Sequence, residues 1–360
     1  MTAPIRVGIV GANPDRGWGR DAHLDALRSL PEFALAAVSA RSQANAEAAA
    51  AAFGAPRAFG DSLALARDPD IDLVAVTVKV PEHRAVVLAA LAAGKHVYCE
   101  WPLGCDLEES EEMAAAVRLG SRAMIGLQAL SAPVILQAAK LIADGAIGRP
   151  RVLRTYGTAA AWGEETQSQA IYLQDKRNGA TLETIGGGHT LAPVEALVGA
   201  YVEVDARNSI LRKSIRVQDT GEMVERTCAD HMFVLGLHDS GCVSTFEMVG
   251  GTTGRPVYFE VTGETGWIRI TGTVPGTCQI ARLALEASFP VEPPAEPVAP
   301  HLVGPPANVA EAYAAFARDL RDGTRTVPDF NDAVRLTRLL DAIDRASATG
   351  QRQLLQASTR

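Results

Sequence analysis

The feature that most constrains the fold is the alternation of short apolar runs with helical segments over roughly the first 125 residues. IRVGIVG indicates a strand and HLDALRSL a helix, and FALAAVSA with SQANAEAAAAAFG repeats the pair. DLVAVTVK, HVYCE and RAMIGLQ continue as strands, with EHRAVVLAALAAG and LEESEEMAAAVRLG as helices between them. This alternation is typical of a parallel sheet wrapped by crossover helices. We predict an α/β, doubly wound Rossmann domain over residues 1–128.

The pattern changes in the second part of the chain, where several strand-like segments follow one another without helices between them. They are YVEVDARNSIL, RTCADHMFVLGLHD, GCVSTFEMVG, VYFEVTGETGWIRITG and QIARLAL. We predict an α+β domain over residues 129–360 with a large, mainly antiparallel sheet. A proline-rich connection at about 290–306 and two helices, Val309–Asp322 and Asn331–Ala348, are expected to end the chain.

Charge and cysteine content exclude several classes of protein. The net charge of -8 argues against a nucleic-acid surface, which needs clustered Lys and Arg. The opening apolar run is only one strand long and follows no basic segment, so we expect no signal peptide, no membrane span and a cytoplasmic protein. The 5 cysteines contain no C-x-x-C pair, which argues against a disulfide framework and a zinc site. No other metal-ligand set with credible spacing emerges.

The segment VGIVGANPDRGWGRDAHLDAL places a glycine-bearing loop between the first strand and the first helix. A dinucleotide pyrophosphate binds at this position in doubly wound folds. Gly11 fits the first glycine of G-x-G-x-x-G, Asn13 stands at the second, and Gly17 and Gly19 come late, after an apparent insertion. We predict that these four residues and Trp18 contact a dinucleotide.

The end of the second strand, VSARS, bears on which dinucleotide is bound. An acidic residue there usually meets a free ribose 2'-hydroxyl, whereas a 2'-phosphate needs cations and small hydroxyls. Ser39, Arg41 and Ser42 occupy this place without a carboxylate. We therefore expect NADP as cofactor, with NAD as the alternative. If NAD is bound, Arg41 is simply a solvated charge at the start of the helix.

The glycine loop, the run PDIDLVAVTVKVPEHRAVVLAALAAGKHVYCEWPL and the later AKLIADGAIGRP together resemble the Gfo/Idh/MocA family (glucose-fructose oxidoreductase, inositol dehydrogenase, rhizopine catabolism). The likeness covers essentially the whole chain. Its most specific part is Glu100-Trp101-Pro102, which falls on the family's Glu-Lys-Pro triplet. ANPDRGWG, VTVKVPEH, LQALSAPVIL and GGGHT are similar to the branch that contains the fungal galactose-pathway repressor, a regulator that binds NADP.

The resemblance implies hydride exchange with a sugar-like substrate, in which the triplet lysine and a later Asp-x-x-x-His handle the proton. Here Trp101 occupies the lysine position, Ile185 the aspartate position and His189 the histidine position. An indole N–H only donates, so His189 is the implied proton-handling group that remains. Trp101 is expected to stack on the cofactor or to be a core residue, and His189 to be an acid or base or a structural residue.

Other side chains complete the predicted sites. Lys79 and Lys176 are alternative cations for the missing lysine. Glu100 is expected to reach the cofactor ribose. We also assign Pro102, His83 and Gln128 to the cofactor site, with a role in folding as the alternative for His83. A polar substrate would be lined by aromatic and carboxylate residues as well as by Lys176 and His189. The lining residues are Trp162, Tyr172, Asp175 and Glu183.

Two functions follow from this sequence. The first is an NAD(P)-dependent oxidoreductase acting by hydride transfer on a small polar substrate, either sugar-like or a pre-activated carbonyl or imine. The second is a catalytically silent NADP-binding sensor or regulator. We expect a homodimer or homotetramer, because the broad open face of a second-domain sheet usually packs against a copy.

Overall fold

The computed structural model describes residues 3–273 and 276–355, which divide into two compact units. Unit 1 consists of Met1–Ser131 and Pro297–Val334, and unit 2 of Ala132–Glu296 and Arg335–Arg360. The division assigns to unit 1 a late segment that the sequence-based boundary at residue 128 places in the second domain.

Strands and helices are numbered in chain order. The strands are β1 Ile5–Val10, β2 Phe33–Ser39, β3 Ala58–Phe59, β4 Leu73–Val76, β5 His96–Glu100, β6 Ala123–Gly126, β7 Pro150–Ala159, β8 Glu165–Thr166, β9 Tyr201–Ser209, β10 Ser214–Val217, β11 Met223–Glu225, β12 His231–His238, β13 Val243–Gly250, β14 Tyr258–Gly263, β15 Trp267–Gly272, β16 Leu283–Ala287 and β17 Gln353–Leu354. The α-helices are α1 Asp25–Arg28, α2 Gln43–Phe53, α3 Ser62–Arg67, α4 His83–Ala92, α5 Leu107–Ala115, α6 Pro133–Ala143, α7 Gly188–Val198, α8 Pro305–Asp322 and α9 Phe330–Thr349. Two π-helical turns, Gly19–Leu24 and Leu182–Gly187, lead directly into α1 and α7.

The sheet of unit 1 has six strands in the order β3-β2-β1-β4-β5-β6, and all its pairs are parallel. This order confirms the predicted doubly wound Rossmann domain. Because the strands are parallel, the carboxyl ends of β1, β2, β4 and β5 lie at one edge of the sheet. The predicted cofactor residues follow these strand ends.

Helix α8 explains why the late segment belongs to unit 1. Ala310, Tyr313, Phe316 and Ala317 recur along it at helical spacing, and all are buried in the same hydrophobic cluster as β1 and β5 residues. The helix begins four residues before the predicted Val309, with Pro305 and Pro306 in its first turn, where a missing backbone N–H costs nothing.

Unit 2 is built on an eight-stranded sheet in the order β16-β15-β14-β7-β13-β12-β9-β17. Only the pairing of β7 with β13 is parallel within this sheet of the described chain, so the predicted mainly antiparallel sheet is confirmed. A smaller sheet contains β11, β10 and β8. Helices α6 and α7 pack against each other.

One predicted strand is shorter than expected. QIARLAL was expected to be extended throughout, but β16 begins only at Leu283. The preceding residues form a turn in which the backbone N–H groups of Ile280 and Ala281 donate to the carbonyl of Thr277. Local hydrogen bonding within this buried turn replaces the expected pairing with a neighbouring strand.

Candidate functional site

The glycine loop between β1 and the first helix of unit 1 has the conformation that only glycine adopts readily. Gly11 has a φ of +93°, and a Cβ added there would lie 2.8 Å from Val78 Cγ1. Gly17 also has a positive φ, of +99°, but open space surrounds it. Residue 11 therefore needs glycine both for its backbone conformation and for close approach to Val78. Residue 17 needs glycine for its conformation alone.

Gly19 allows the helix to pack closely against the sheet. A Cβ at this residue would lie 2.8 Å from Thr77 Oγ1 and 3.1 Å from Ile9 Cγ2. This is the function of the last glycine in a dinucleotide-binding loop. The insertion seen in the sequence lengthens the loop but leaves its first and last glycines in these positions.

The interior of the loop carries polar groups. The Asn13 side-chain oxygen accepts a 2.9 Å hydrogen bond from the Asp15 backbone N–H. Trp18 is half-buried against the unit 1 core, and its indole Nε1 is buried with no hydrogen-bond partner in the described part of the chain. An unused donor beside a glycine loop fits an anionic group. The residues present therefore fit the diphosphate of a dinucleotide.

The residues predicted to select NADP have different surroundings. Ser39 is fully buried, and its hydroxyl lies 3.1 Å from that of Ser62. Ser42 is the N-cap of α2, where its hydroxyl accepts a hydrogen bond from Asn45 N at 3.2 Å. Arg41 is exposed. Arg41 and Ser42 are thus both exposed beyond the end of β2, and Ser42 uses its hydroxyl to cap α2.

Glu100, at the end of β5, is buried and engaged by protein donors. Its Oε1 lies 2.9 Å from His23 Nε2, and its Oε2 accepts a 2.7 Å hydrogen bond from the Gln128 side-chain amide. The missing side chain of Gly126 makes room for this carboxylate, because a Cβ there would lie 2.8 Å from it. Glu100 and Gln128, both predicted as cofactor residues, are thus brought together, and their side chains are hydrogen-bonded to each other.

The loop after β5 contains Trp101 and Pro102, joined by a cis peptide bond, and both residues are buried. His83, at the start of α4, ties this loop to the one after β4. Its Nδ1 lies 3.0 Å from the Pro102 carbonyl oxygen and its Nε2 3.0 Å from that of Val78. Burial lowers the pKa of His83, although these carbonyl groups oppose the shift. Both ring nitrogens of His83 are therefore occupied by protein groups.

Lys79 follows β4 and is exposed at the start of the turn Val80–Glu82. It lies on the same strand-end edge as the glycine loop and the Trp101 loop. The structure thus places the predicted unit 1 residues along one edge of one sheet.

His189, in unit 2, lies in the first turn of α7 and is only 5 % exposed. Burial lowers its pKa to about 3. Its Nδ1 is buried without a hydrogen-bond partner among the described residues, in keeping with the replacement of the implied aspartate by Ile185. Its backbone carbonyl accepts a hydrogen bond from the Cys278 thiol. His189 is therefore neutral at ordinary pH.

The predicted substrate-lining residues of unit 2 are largely engaged with the protein. The Trp162 indole N–H donates to the Leu173 carbonyl at 2.9 Å. Asp175 caps a short helical turn and forms an ion pair with Arg177. Tyr172 is half-buried, and burial raises its pKa.

Lys176 and Glu183 are the charged members of this set. Lys176 Nζ lies 2.7 Å from Asp344 Oδ2; burial lowers the pKa of Lys176, but this hydrogen bond and the charge of Asp344 outweigh burial and raise it. Glu183 Oε1 accepts a 3.0 Å hydrogen bond from Ala229 N, while its Oε2 is buried with no partner in the ranges that the structure describes. Burial raises the pKa of Glu183.

No pattern in the sequence pointed to the groups that hold Glu100. His23 lies between Glu100 and Tyr313: its Nε2 contacts Glu100, and the Tyr313 hydroxyl lies 2.7 Å from its Nδ1. Tyr313 lies 290 positions along the chain from His23, so no local pattern connects them. No group of three or more His, Cys, Asp or Glu residues in the described chain could hold a metal.

Two family models match the chain, one on each side of the first boundary between the units at residue 131. Residues 5–126 match the oxidoreductase family with an NAD-binding Rossmann fold, GFO_IDH_MocA. Residues 133–272 match the C-terminal domain of Gal80p. No helix in the described ranges is long and apolar enough to cross a membrane.

Individual relatives include an enzyme and a regulator. The dehydrogenase aclE of Aspergillus oryzae is 30% identical over 98% of each chain. The galactose/lactose metabolism regulatory protein GAL80 of Kluyveromyces lactis is 28% identical over 78% of this chain and 66% of its own length. A crystal structure of a super-repressor mutant of Gal80p from Saccharomyces cerevisiae has the same fold, with a TM-score of 0.86 at 22% identity over 98% of each chain. Together with the glycine loop and the Glu100-Trp101-Pro102 edge, the full-length likeness to a dehydrogenase shows that this chain belongs to the Gfo/Idh/MocA oxidoreductase family.

Proposed function

We propose that this protein is an NAD(P)-dependent oxidoreductase that transfers a hydride to a small polar substrate carrying an already electrophilic carbonyl or imine group. The observation that carries the proposal is the glycine loop, where a Cβ at Gly11 or Gly19 would collide with Thr77 or Val78, directly after β4. When bound there, the reduced dinucleotide supplies the hydride. The full-length likeness to a dehydrogenase supports an enzymatic role.

The environment of His189 favours this substrate class over a plain alcohol. A side chain with a pKa of about 3 is a weak base, and loss of a well-placed base slows proton abstraction by roughly 10²- to 10⁴-fold. Because a buried N–H without an acceptor is rare, the unpartnered Nδ1 favours the tautomer with hydrogen on Nε2. Neutral His189 would then donate a hydrogen bond to a substrate oxygen that gains negative charge, and solvent would supply the proton.

Substrate selection is assigned to unit 2. Glu183 Oε2 lacks a partner among the described residues, so a hydroxyl or amino group of the substrate would complete its hydrogen bonding. Lys176 and Tyr172 are the adjoining polar groups of the proposed substrate site. Trp162 would supply an aromatic wall, since its only side-chain N–H is already bonded to Leu173. These features suit a polyol-like or sugar-like molecule.

NADP is the proposed cofactor, with NAD as the alternative. The support is the lack of a carboxylate at the end of β2 and the exposed Arg41, whose guanidinium can pair with a 2'-phosphate. Arg41→Ala should weaken NADP binding and leave NAD binding unchanged, as measured by calorimetry. Equal effects on both nucleotides would contradict the assignment.

A sensor or regulator that binds NADP without turnover is the second candidate. It is favoured by Trp101 and Ile185 at the positions of the implied lysine and aspartate, and by the match of residues 133–272 to the Gal80p C-terminal domain. A protein partner would then read cofactor or ligand occupancy. The two functions differ in whether any substrate changes the redox state of the cofactor.

The deciding experiment follows the absorbance of the reduced nicotinamide with sugars, polyols, imines and enones as substrates. The proposed enzyme should turn over an imine or enone. His189→Ala, which removes the proposed hydrogen bond to the developing negative charge, should reduce that rate by roughly 10²-fold or more. Trp101→Lys should add sugar oxidation if the missing proton acceptor limits that reaction. Tight cofactor binding without turnover of any substrate would favour the regulator.

The assembly and the compartment are also proposed. The open face of the unit 2 sheet carries exposed apolar residues, among them Phe233, Leu235, Val243 and Trp267, which supports a homodimer or homotetramer. The proposed compartment is the cytoplasm. All five cysteines are free thiols, as is usual in that reducing environment.

A further inference from the structure

A chain of hydrogen bonds converges on Glu100 inside unit 1. Tyr313 contacts His23 Nδ1, His23 Nε2 contacts Glu100 Oε1, and the Gln128 amide donates to Glu100 Oε2. His23 and Tyr313 are fully buried and Gln128 is 1% exposed. Such a chain is far more than is needed to place one glutamate at a strand end.

The direction of the hydrogen bonds fits an ionised carboxylate. The side-chain nitrogen of Gln128 can only donate. If the Tyr313 hydroxyl donates to Nδ1 of a neutral His23 ring, the ring hydrogen is on Nε2 and is directed at Glu100 Oε1. Both oxygens of Glu100 then accept hydrogen bonds, which is the pattern of a carboxylate, an acceptor at both oxygens.

The other ionisable groups facing Glu100 do not cancel its charge. They are Tyr98, Cys99, Tyr313 and His83. Burial raises the pKa values of both tyrosines and of the cysteine, and the charge of Glu100 raises them further. Burial lowers the pKa of His83. All four groups are therefore neutral near pH 7. With His23 neutral, as in the arrangement above, a single negative charge is left at the end of β5.

This charge lies at the end of β5, on the side of the sheet where a bound dinucleotide would place its redox-active nicotinamide ring. The pyrophosphate binds at the loop after β1, and the adenosine ribose at the end of β2. With the strand order β3-β2-β1-β4-β5-β6, a dinucleotide bound in this way would place its nicotinamide half on the side of β4 and β5. The nicotinamide ring is cationic when oxidised and neutral when reduced.

We propose that ionised Glu100, held in place by His23 and Gln128, makes unit 1 favour the oxidised dinucleotide over the reduced one. The inference rests on the proposed dinucleotide binding and adds a preference for one redox state. Two unit charges about 10 Å apart at an effective dielectric constant of about 20 change a dissociation constant by roughly tenfold. Glu100 acts through its charge, and His23 is a positioning residue.

The test compares the affinities of NADP+ and NADPH for the full chain by calorimetry, with NAD+ and NADH as a second pair. In Glu100→Gln, the ratio of the Kd for NADPH to that for NADP+ should fall by about tenfold. The substitution keeps the shape of the side chain. Gln128 Oε1 is buried without a partner in the described chain, so rotation of the Gln128 amide would provide an acceptor for the amide group that the substitution introduces.

Glu311→Gln is the matched control, because Glu311 is equally buried in unit 1, at 8%, and accepts a hydrogen bond from the Val298 N–H. This variant should keep the wild-type ratio. A folded Glu100→Gln protein with an unchanged ratio, or a Glu311→Gln protein with an equally reduced one, would overturn the inference. Structural damage alone would weaken both nucleotides equally and leave the ratio unmoved.

His23→Gln provides a second variant if Glu100→Gln does not fold. A glutamine amide can replace Nε2 as donor to Glu100 but cannot carry a positive charge. The preference for NADP+ should therefore be retained or increased, and a loss of the preference in a folded protein would contradict the inference. Failure of the wild-type chain to bind either form would overturn the proposed function as well.

Discussion

Single residues in unit 1 show that the same backbone angle can serve different purposes. Gly11 and Gly17 share a positive φ, but only Gly11 has the end of β4 within contact distance of a Cβ. At Gly11 a side chain would both strain the backbone and displace Val78. The glycine loop should therefore tolerate substitution at Gly17 much better than at Gly11.

Gly11→Ala should weaken dinucleotide binding by at least about tenfold, because the left-handed backbone alone costs an L residue roughly 1–2 kcal/mol and the collision adds to that cost. Gly17→Ala is the matched control, since it carries the backbone cost without the collision. Calorimetric titration with NADP+ and NAD+ measures both variants. Equal losses of affinity would show that close packing against Val78 does not shape the loop.

His189 should make the stability of the protein depend on pH. Its pKa falls from 6.5 in the unfolded chain to about 3 in the folded protein. Below about pH 6.5 the unfolded chain binds a proton that the folded protein excludes, so stability is lost as the pH falls. Between pH 6.5 and pH 5 this loss amounts to about 2 kcal/mol.

His189→Gln should remove this contribution. Urea unfolding at pH 7 and pH 5 measures the difference, and the wild type should lose about 2 kcal/mol more than the variant between the two pH values. Parallel pH dependences of the two proteins would indicate that His189 becomes protonated in the folded state.

At the scale of elements, helix α8 has an unusual position in the chain. It follows almost the whole of unit 2, yet its apolar residues belong to the core of unit 1. The helix carries Tyr313, whose hydroxyl contacts His23 beside Glu100. It also carries Phe316, whose ring packs edge-on against the His96 ring with 6.1 Å between the ring centroids. Loss of its packing should therefore affect the sheet that carries the proposed cofactor site.

Phe316→Ala should destabilise unit 1 by about 3–5 kcal/mol, the usual cost of removing a fully buried phenylalanine. Hydrogen exchange measured by mass spectrometry should become faster in β1, β4 and β5 and stay unchanged in β12 and β13. Arg318→Ala, at an exposed position of the same helix, is the control and should change neither group. Faster exchange in unit 2 alone would contradict this assignment of α8.

On the scale of the whole molecule, the open face of the unit 2 sheet exposes several large apolar side chains. Phe233 and Leu235 alternate along β12 with the buried Met232 and Val234, so one face of the strand is core and the other is exposed. Ion pairs between Glu260 and Arg154 and between Glu260 and Arg269 lie on the same face. A mixed surface of this kind suits contact with a second copy.

Leu235→Glu should shift the protein toward monomer, because it places a charge among the apolar side chains of that face. Light scattering coupled to size-exclusion chromatography measures the molar mass. Leu211→Glu changes a more exposed leucine outside the sheet and should leave the mass unchanged. A wild-type protein that is monomeric at micromolar concentration would refute the expected oligomer.

The amino-acid sequence by itself determined the doubly wound unit, the antiparallel character of the second sheet and the edge on which the predicted cofactor residues lie. These features have local periods, because strands and helices place apolar residues at fixed spacings, and a loop that needs glycine has few alternatives. Tertiary structure alone decided the contacts of each side chain. It paired the hydroxyl of Ser39 with that of Ser62, buried His189, and joined Glu100 to Tyr313 through His23. Such contacts join residues far apart in the chain, so they leave no local pattern in the sequence.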